Sequence, residues 1–111
     1  MRDSWLYLQD IVEAMNSIET FVGDMNFDAF RADDKTASAV LLKLAIIGEA
    51  AKQIPADLQA QYPEVPWREM AGMRDRVVHA YFGVDYNLIW LAIKNRIPQV
   101  KPRIEQVLKD I

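Results

Sequence analysis

Ala71-Gly-Met-Arg-Asp-Arg-Val-Val-His-Ala-Tyr-Phe-Gly83 holds the only histidine of the chain, His79, with Arg74, Asp75 and Arg76 in the five positions before it and Tyr81 two positions after it. Met73, Val77, Val78 and Phe82 recur at spacings that let a helix bury one side and show the other. The stretch therefore reads as a helix that carries chemistry, and the rest of the chain reads as the bundle that supports it.

Helix geometry decides which of these groups could cooperate. At roughly 100° per residue, Asp75 and His79 are four apart and share a face, so the carboxylate can hydrogen-bond the imidazole. Arg74 and Tyr81, about two turns apart, share another face. Arg74 and His79 differ by roughly 140° around the axis, so only the length of the arginine lets both reach one ligand. A second copy of the helix packed across a twofold axis would repair that defect, because the same patch then meets itself over one cleft. The pattern hints at a dimeric site.

The chemistry open to these side chains is narrow. Histidine exchanges protons near neutral pH without special tuning, and arginine offers a permanent, planar fork of donors suited to phosphate oxygens. Together they suffice to cleave RNA through its own 2′-hydroxyl, with developing charge stabilised by the cation. No metal is then required. The plainer reading stands beside this one: a lone histidine between Val78 and Ala80 is often a helix residue with a satisfied hydrogen bond, and arginines near a helix start are commonly solvated. Composition and spacing alone favour that plainer reading.

At 111 residues the chain is long enough for one core but not two, so residues 1–111 are expected to form a single domain. Half of it is apolar and 26% charged, an ordinary globular composition. There is no cysteine, which excludes a disulfide framework and a thiolate metal site; with one histidine, a zinc site would be mostly carboxylate. The N-terminus lacks a signal-peptide pattern and no apolar run approaches the ~20 residues needed to cross a bilayer, so a cytoplasmic protein without membrane contact is expected. Net charge is −3, which does not advertise a nucleic-acid binder. Residues 1 to 34, however, carry two basic and eight acidic side chains, so the remainder holds +3 and could present a modest basic surface.

Working outward, Asp3 or Ser4 can cap a first helix in which Trp5, Leu8, Val12, Met15, Ile18 and Val22 recur three or four apart, with Gly23 as its stop. Phe27 and Phe30 are expected to fold back onto the core through a short turn. Asp33 or Asp34 caps a second helix with a broad apolar stripe from Ala37 to Ile54, ended by Pro55. Inside it, Gly48 costs around 1 kcal/mol against alanine and so suggests the close approach of another helix. Glu49 is either an exposed helix residue or a partner for the arginines of the opening stretch. Asp57 to Tyr62 can make a short helix, Pro66 to Met70 a helical turn, and Trp67 a core plug or a platform for a base, the core role being the safer. Beyond His79, Gly83 is expected to stop the helix, Asp85 to cap the next, and Pro98 to break that one before a last amphipathic segment, Gln99 to Ile111. No hairpin signal or repeat is evident. The sum is an all-α antiparallel bundle of four to five helices.

Three separated segments in this order, Ile47-Gly-Glu-Ala-Ala-Lys52, Pro63-Glu-Val-Pro-Trp-Arg68 and Ala71 through Asp85, resemble the HepT-like toxins of the HEPN superfamily. The resemblance runs from the second helix through the one after His79. The family signature is an arginine, four to six residues, a histidine, one residue and a tyrosine; Arg74, His79 and Tyr81 fill it with the shortest gap. The resemblance implies a HEPN-like bundle that dimerises so that paired motifs face one cleft, with room for a higher assembly, and acts as a metal-independent endoribonuclease toxin, on transfer or messenger RNA, without a cofactor. Carried onto this chain, His79 would be the general acid or base, Arg74 would hold the phosphate, and Asp75, Glu49 and Arg76 would support the site. Asp75 would need Arg76, His79 or another cation to neutralise it. The resemblance further implies a partner, a minimal nucleotidyltransferase antitoxin that inhibits the toxin by transferring AMP from ATP to Tyr81. The alternative is a non-catalytic helical partner of such a nucleotidyltransferase.

Overall fold

The computed structural model describes residues 2–79 and 83–111, apart from the side chain of His79. Helix α1 (Ser4–Val22) begins where the Asp3 carboxylate accepts the backbone N–H of Trp5, and ends at Gly23 with φ +53°. Its buried stripe is Leu8, Ile11, Ala14, Met15, Ile18 and Val22. Trp5, expected on that stripe, is instead 40% exposed, and Ile11 fills the core in its place. Leu8, Ile11, Met15, Ile18 and Val22 keep a three-and-four spacing that, continued backwards, falls on Ser4 and leaves Trp5 to one side.

Asn26 caps α2 (Phe27–Ala32) through the N–H of Ala29. The two phenylalanines thus return to the core on a short helix rather than a turn. Phe30 is fully buried, its ring centroid 5.3 Å from Trp90 and 6.2 Å from Tyr86, while Phe27 meets Trp90 edge-on at 5.9 Å. Such pairs add about 0.5–1.5 kcal/mol each beyond area burial. Asp33 caps α3 (Asp34–Lys52), accepting from both the N–H and the hydroxyl of Thr36. Those bonds hold the Asp33 carboxyl below the ordinary carboxylate range.

After α3 come three short helices, α4 (Ala56–Gln61), α5 (Trp67–Ala71) and α6 (Met73–Val77). Trp67 is buried and its indole N–H donates to the Tyr62 carbonyl at 3.1 Å, so it is the core plug. The helix expected to run through His79 stops at Val77. Val78 turns to extended backbone (φ −109°, ψ 120°), and β1 (Val78–His79) pairs antiparallel with β2 (Gly83–Val84), Val78 opposite Val84 and His79 opposite Gly83. Two adjacent β-branched valines weaken the helix there, Gly83 supplies φ +85°, and the N–H of Asp85 closes the hairpin onto the Val77 carbonyl at 2.7 Å. Gly83 is thus part of a hairpin and not a helix stop, and the shared helical face expected for Asp75 and His79 does not form.

Asp85 caps α7 (Tyr86–Leu91) through the N–H of Leu88. The chain then passes through a π-helical turn, Ala92–Arg96, in which the Ile97 N–H reaches back five residues to Ala92, and continues without a break into α8 (Ile97–Asp110). The break expected at Pro98 is absent. The wide turn restarts the α-helix at Ile97 and so places Pro98 in a first turn, where a missing N–H costs nothing.

α1 lies along α3, α8 along α1, and α3 carries α5 and α6 on its other side. Lys101 to Glu19 (3.2 Å) ties α8 to α1, and Arg103 donates to the Glu64 carbonyl at 2.7 Å, tying α8 to the loop before α5. The buried side chains form one apolar cluster with no buried polar group among the described residues. The all-α bundle is the observed architecture, and no described helix is long and apolar enough to cross a membrane.

Candidate active site

The site is placed by a contact deep in the bundle. A Cβ at position 48 would stand 3.0 Å from the Ala71 carbonyl oxygen and 3.4 Å from that of Met70, so only glycine lets α3 and the backbone of α5 come this close. This is the helix approach expected from Gly48. Met70 is fully buried, and Met73 and Val77, one helical turn apart, are buried as well. With those three pinned, the intervening residues Arg74, Asp75 and Arg76 face outward, and β1 leads His79 away from the same end of α6.

Arg74 and Arg76 lie two positions apart and so point to opposite sides of α6. The Arg74 side chain is about half exposed and meets the Asp75 carboxylate at 3.4 Å. The cation beside Asp75 is therefore Arg74 itself and not Arg76. A contact this open is worth about 0–1 kcal/mol and leaves the Arg74 guanidinium accessible. Arg76 turns the other way and stands 3.6 Å from Glu69. Glu69 in turn accepts two bonds from Arg96, from Nε at 2.8 Å and from a second guanidinium nitrogen, and Arg96 also donates to Gln99. Glu49 lies on α3, exposed, 3.3 Å from Lys52; the structure pairs it with that lysine and with neither Arg74 nor Arg76. The Tyr81 side chain and the imidazole of His79 lie outside the described residues.

Glu69 and Arg96, which the sequence did not single out, bind α5 to the π-helical turn across 27 positions. Hydrogen bonding from Arg96 holds the Glu69 carboxyl below the ordinary carboxylate range against the opposing effect of its partial burial, with the charges of Arg96 and Arg76 adding to the shift; Arg96 is raised by the same bond. Because the folded Glu69 is the stronger acid, its stabilisation is complete above the ordinary carboxylate range and fades as pH falls through the folded value. Glu69→Gln is therefore expected to melt a few degrees below the wild type at neutral pH, the pair being partly exposed and worth about 1 kcal/mol. Thermal melts taken down into the acid range should show the two curves converging; a gap that stays constant with pH would refute the linkage.

Between α6 and the α7 to π-turn segment lies a cleft of about 250 Å³, walled by Met73, Val77, Leu88 and Ala92 and rimmed by Glu69, Arg76, Asn95 and Arg96. Fold and site together define a small helical domain that carries two outward arginines and a histidine-bearing strand on a buried two-helix contact.

Comparison with known proteins narrows this class. The family described as "Ribonuclease HepT-like" matches residues 11–107. The chain is 50% identical over 103 residues, 93% of its length and 94% of the relative's, to the "Probable ribonuclease HepT" of Thermococcus cleftensis. It is 44% identical over 110 residues, 99% of its length and 91% of the relative's, to a candidate RNase of Methanocaldococcus jannaschii. A candidate RNase of Caldanaerobacter subterraneus subsp. tengcongensis is 36% identical over 103 residues, 93% and 92% of the two lengths. No solved structure gives a significant match. The chain belongs to the HepT-like ribonuclease family.

Proposed function

We propose that this protein is the toxin of a toxin–antitoxin pair, an endoribonuclease that cuts RNA as a homodimer without a metal ion. The observation that carries the reading is Arg74: a guanidinium held outward on α6 by buried neighbours on either side, loosely engaged by Asp75, just before the strand that contains His79. In the reaction the 2′-hydroxyl of one nucleotide attacks the adjacent phosphorus, the bond to the 5′-oxygen breaks, and the products end in a 2′,3′-cyclic phosphate and a 5′-hydroxyl. His79 moves the proton, as base for the attacking hydroxyl or acid for the leaving oxygen. Arg74 holds the phosphate and offsets the charge that grows on its oxygens. Asp75 engages Arg74 when no phosphate is present. The twofold pairing supplies the second copy of each group that a five-residue α6 leaves out of reach within one chain.

Control would act on the same site. A nucleotidyltransferase partner would join the phenol oxygen of Tyr81 to the α-phosphorus of ATP and release pyrophosphate. The AMP group on Tyr81 adds bulk and negative charge in the sequence neighbourhood of Arg74, so it competes with RNA for that cation.

The test uses purified protein and labelled transfer RNA in EDTA. Cleavage with cyclic-phosphate ends, and none of an RNA carrying 2′-deoxy sugars, is the expected result. No cleavage, or cleavage of the deoxy strand, would refute the reading. In the same assay, preincubation with the partner and ATP should silence the wild type and add the mass of AMP, while Tyr81→Phe should gain no mass.

A further inference from the structure

The cleft between α6 and the π-helical turn has no part in the reaction described above, yet it has the composition of a site. Its floor is apolar, and Leu91 at its edge is 51% exposed, although Ile89 and Ala92 close to it in the chain are buried. Its rim carries two arginines against one carboxylate, a net positive charge beside a chain that is acidic overall. The bonds on the rim are made by Arg96, to Glu69 and Gln99. The Asn95 amide is exposed and has no side-chain partner among the described residues. Leu91, Ala92, Asn95 and Arg96 lie along one side of the chain as it passes through the π-helical turn, and such turns recur at functional positions.

We propose that this cleft is a subsite for one nucleotide of the bound RNA, its base lying on Leu88 and Leu91, its edge hydrogen-bonded by Asn95, and its phosphate held by Arg76. The proposal rests on the ribonuclease reading for the source of the nucleotide but not for the binding itself. A volume of about 250 Å³ is smaller than the pockets that enclose drug-sized ligands, so it suits one base and not a folded strand. An amide supplies a donor and an acceptor side by side, which is what recognition of a base edge needs. Arg76 keeps its charge available because its contact with Glu69 is long, at 3.6 Å, and Arg96 already satisfies that carboxylate. Glu69 and Arg96 act as positioning residues, fixing the wall on which Asn95 stands. Arg74 and Arg76, pointing to opposite sides of α6, would then grip successive phosphates, and the subsite would favour some bases over others next to the cut.

The test is a titration of the full chain, methyl-labelled for nuclear magnetic resonance, with each of the four nucleoside 5′-monophosphates, with inorganic phosphate, and with a short 2′-O-methyl RNA that cannot be cut. Leu88 and Leu91 methyl signals should move with nucleotides and with the RNA, unequally among the four bases, and stay still with phosphate. Asn95→Leu should weaken nucleotide binding about tenfold and flatten the differences between bases, with an unchanged melting temperature. Methyl signals that stay still with every nucleotide, or that move equally with phosphate, would overturn the proposal. So would Leu91 signals that depend on protein concentration and ignore nucleotide, since a second copy of the chain would then cover the cleft. Saturable nucleotide binding by a protein that never cuts RNA would leave the subsite standing and refute the ribonuclease reading; cutting without such binding would do the reverse.

Discussion

Replacing Arg74 with alanine is expected to slow RNA cleavage about 10²–10³-fold without lowering the melting temperature. The first half follows from the cost of removing one donor aimed at developing charge. The second follows from the geometry: the side chain is about half exposed and touches only Asp75 among the described charged groups, at 3.4 Å, so little stability can be lost with it. Arg74→Lys keeps the charge but not the planar fork, and should fall between the two. Arg76→Ala should slow cleavage less than Arg74→Ala, since that arginine is turned toward Glu69 on the far side of α6. His79→Ala should lose about 10²–10⁴-fold, the usual worth of a placed proton carrier. Mixing the two inactive proteins tests the dimer as well. If arginine from one copy and histidine from the other share a cleft, each mixed dimer regains one intact site, and random exchange of subunits should restore about a quarter of wild-type activity. Labelled RNA resolved on a gel reads all of these, and equal rates for wild type and Arg74→Ala would remove the role assigned to it.

The helical framework was legible because its signals are local. Asp3, Asp33 and Asp85 each stand immediately before a helix and each accepts a backbone N–H from it, and Gly48 marked a close approach that the backbone of α5 occupies. What could not be read were features that depend on partners far along the chain. Val77, Val78 and the residues up to Gly83 have apolar spacing that fits a helix as well as a strand, and the choice is made by the Asp85 N–H reaching the Val77 carbonyl. Pro98 looked like a break because nothing in a string of residues announces that the turn before it is one residue wider. Glu69 and Arg96 went unnoticed for the same reason: a bidentate pair 27 positions apart has no spacing to recognise.

That dependence on distant contacts also decides what holds the site in place. α5 and α6 are five residues each, too short to hold together on their own hydrogen bonds. They keep their shape because α3 anchors them from below through Met70, Met73 and Val77, and the Glu69 to Arg96 pair holds them from the side. Arg74 is consequently positioned by residues that its guanidinium does not itself pair with.

The sharpest consequence falls on Gly48. Gly48→Val is expected to destabilise the fold by about 3 kcal/mol or more, and Gly48→Ala by about 1. Alanine gains roughly 1 kcal/mol of helix propensity, which offsets part of the clash; valine gains less and adds two γ-methyl groups against the same wall. That wall cannot rotate away, since the atoms 3.0 and 3.4 Å from the new Cβ are the carbonyl oxygens of Ala71 and Met70 and not the tips of side chains. α5 must shift as a body, carrying Met70, and with it the start of α6. Gly48→Ala should therefore lose cleavage activity out of proportion to its modest loss of stability, a split that a simple unfolding effect would not produce. Gly72→Ala is the control: its new Cβ would meet only the Arg68 carbonyl oxygen, at an ordinary 3.8 Å, at a backbone angle any residue accepts, so stability and cleavage should both survive. Thermal melts and RNA cleavage measured on the three variants decide the matter. If Gly48→Val melts with the wild type, α3 does not position the arginines, and the link from buried glycine to catalytic surface is broken.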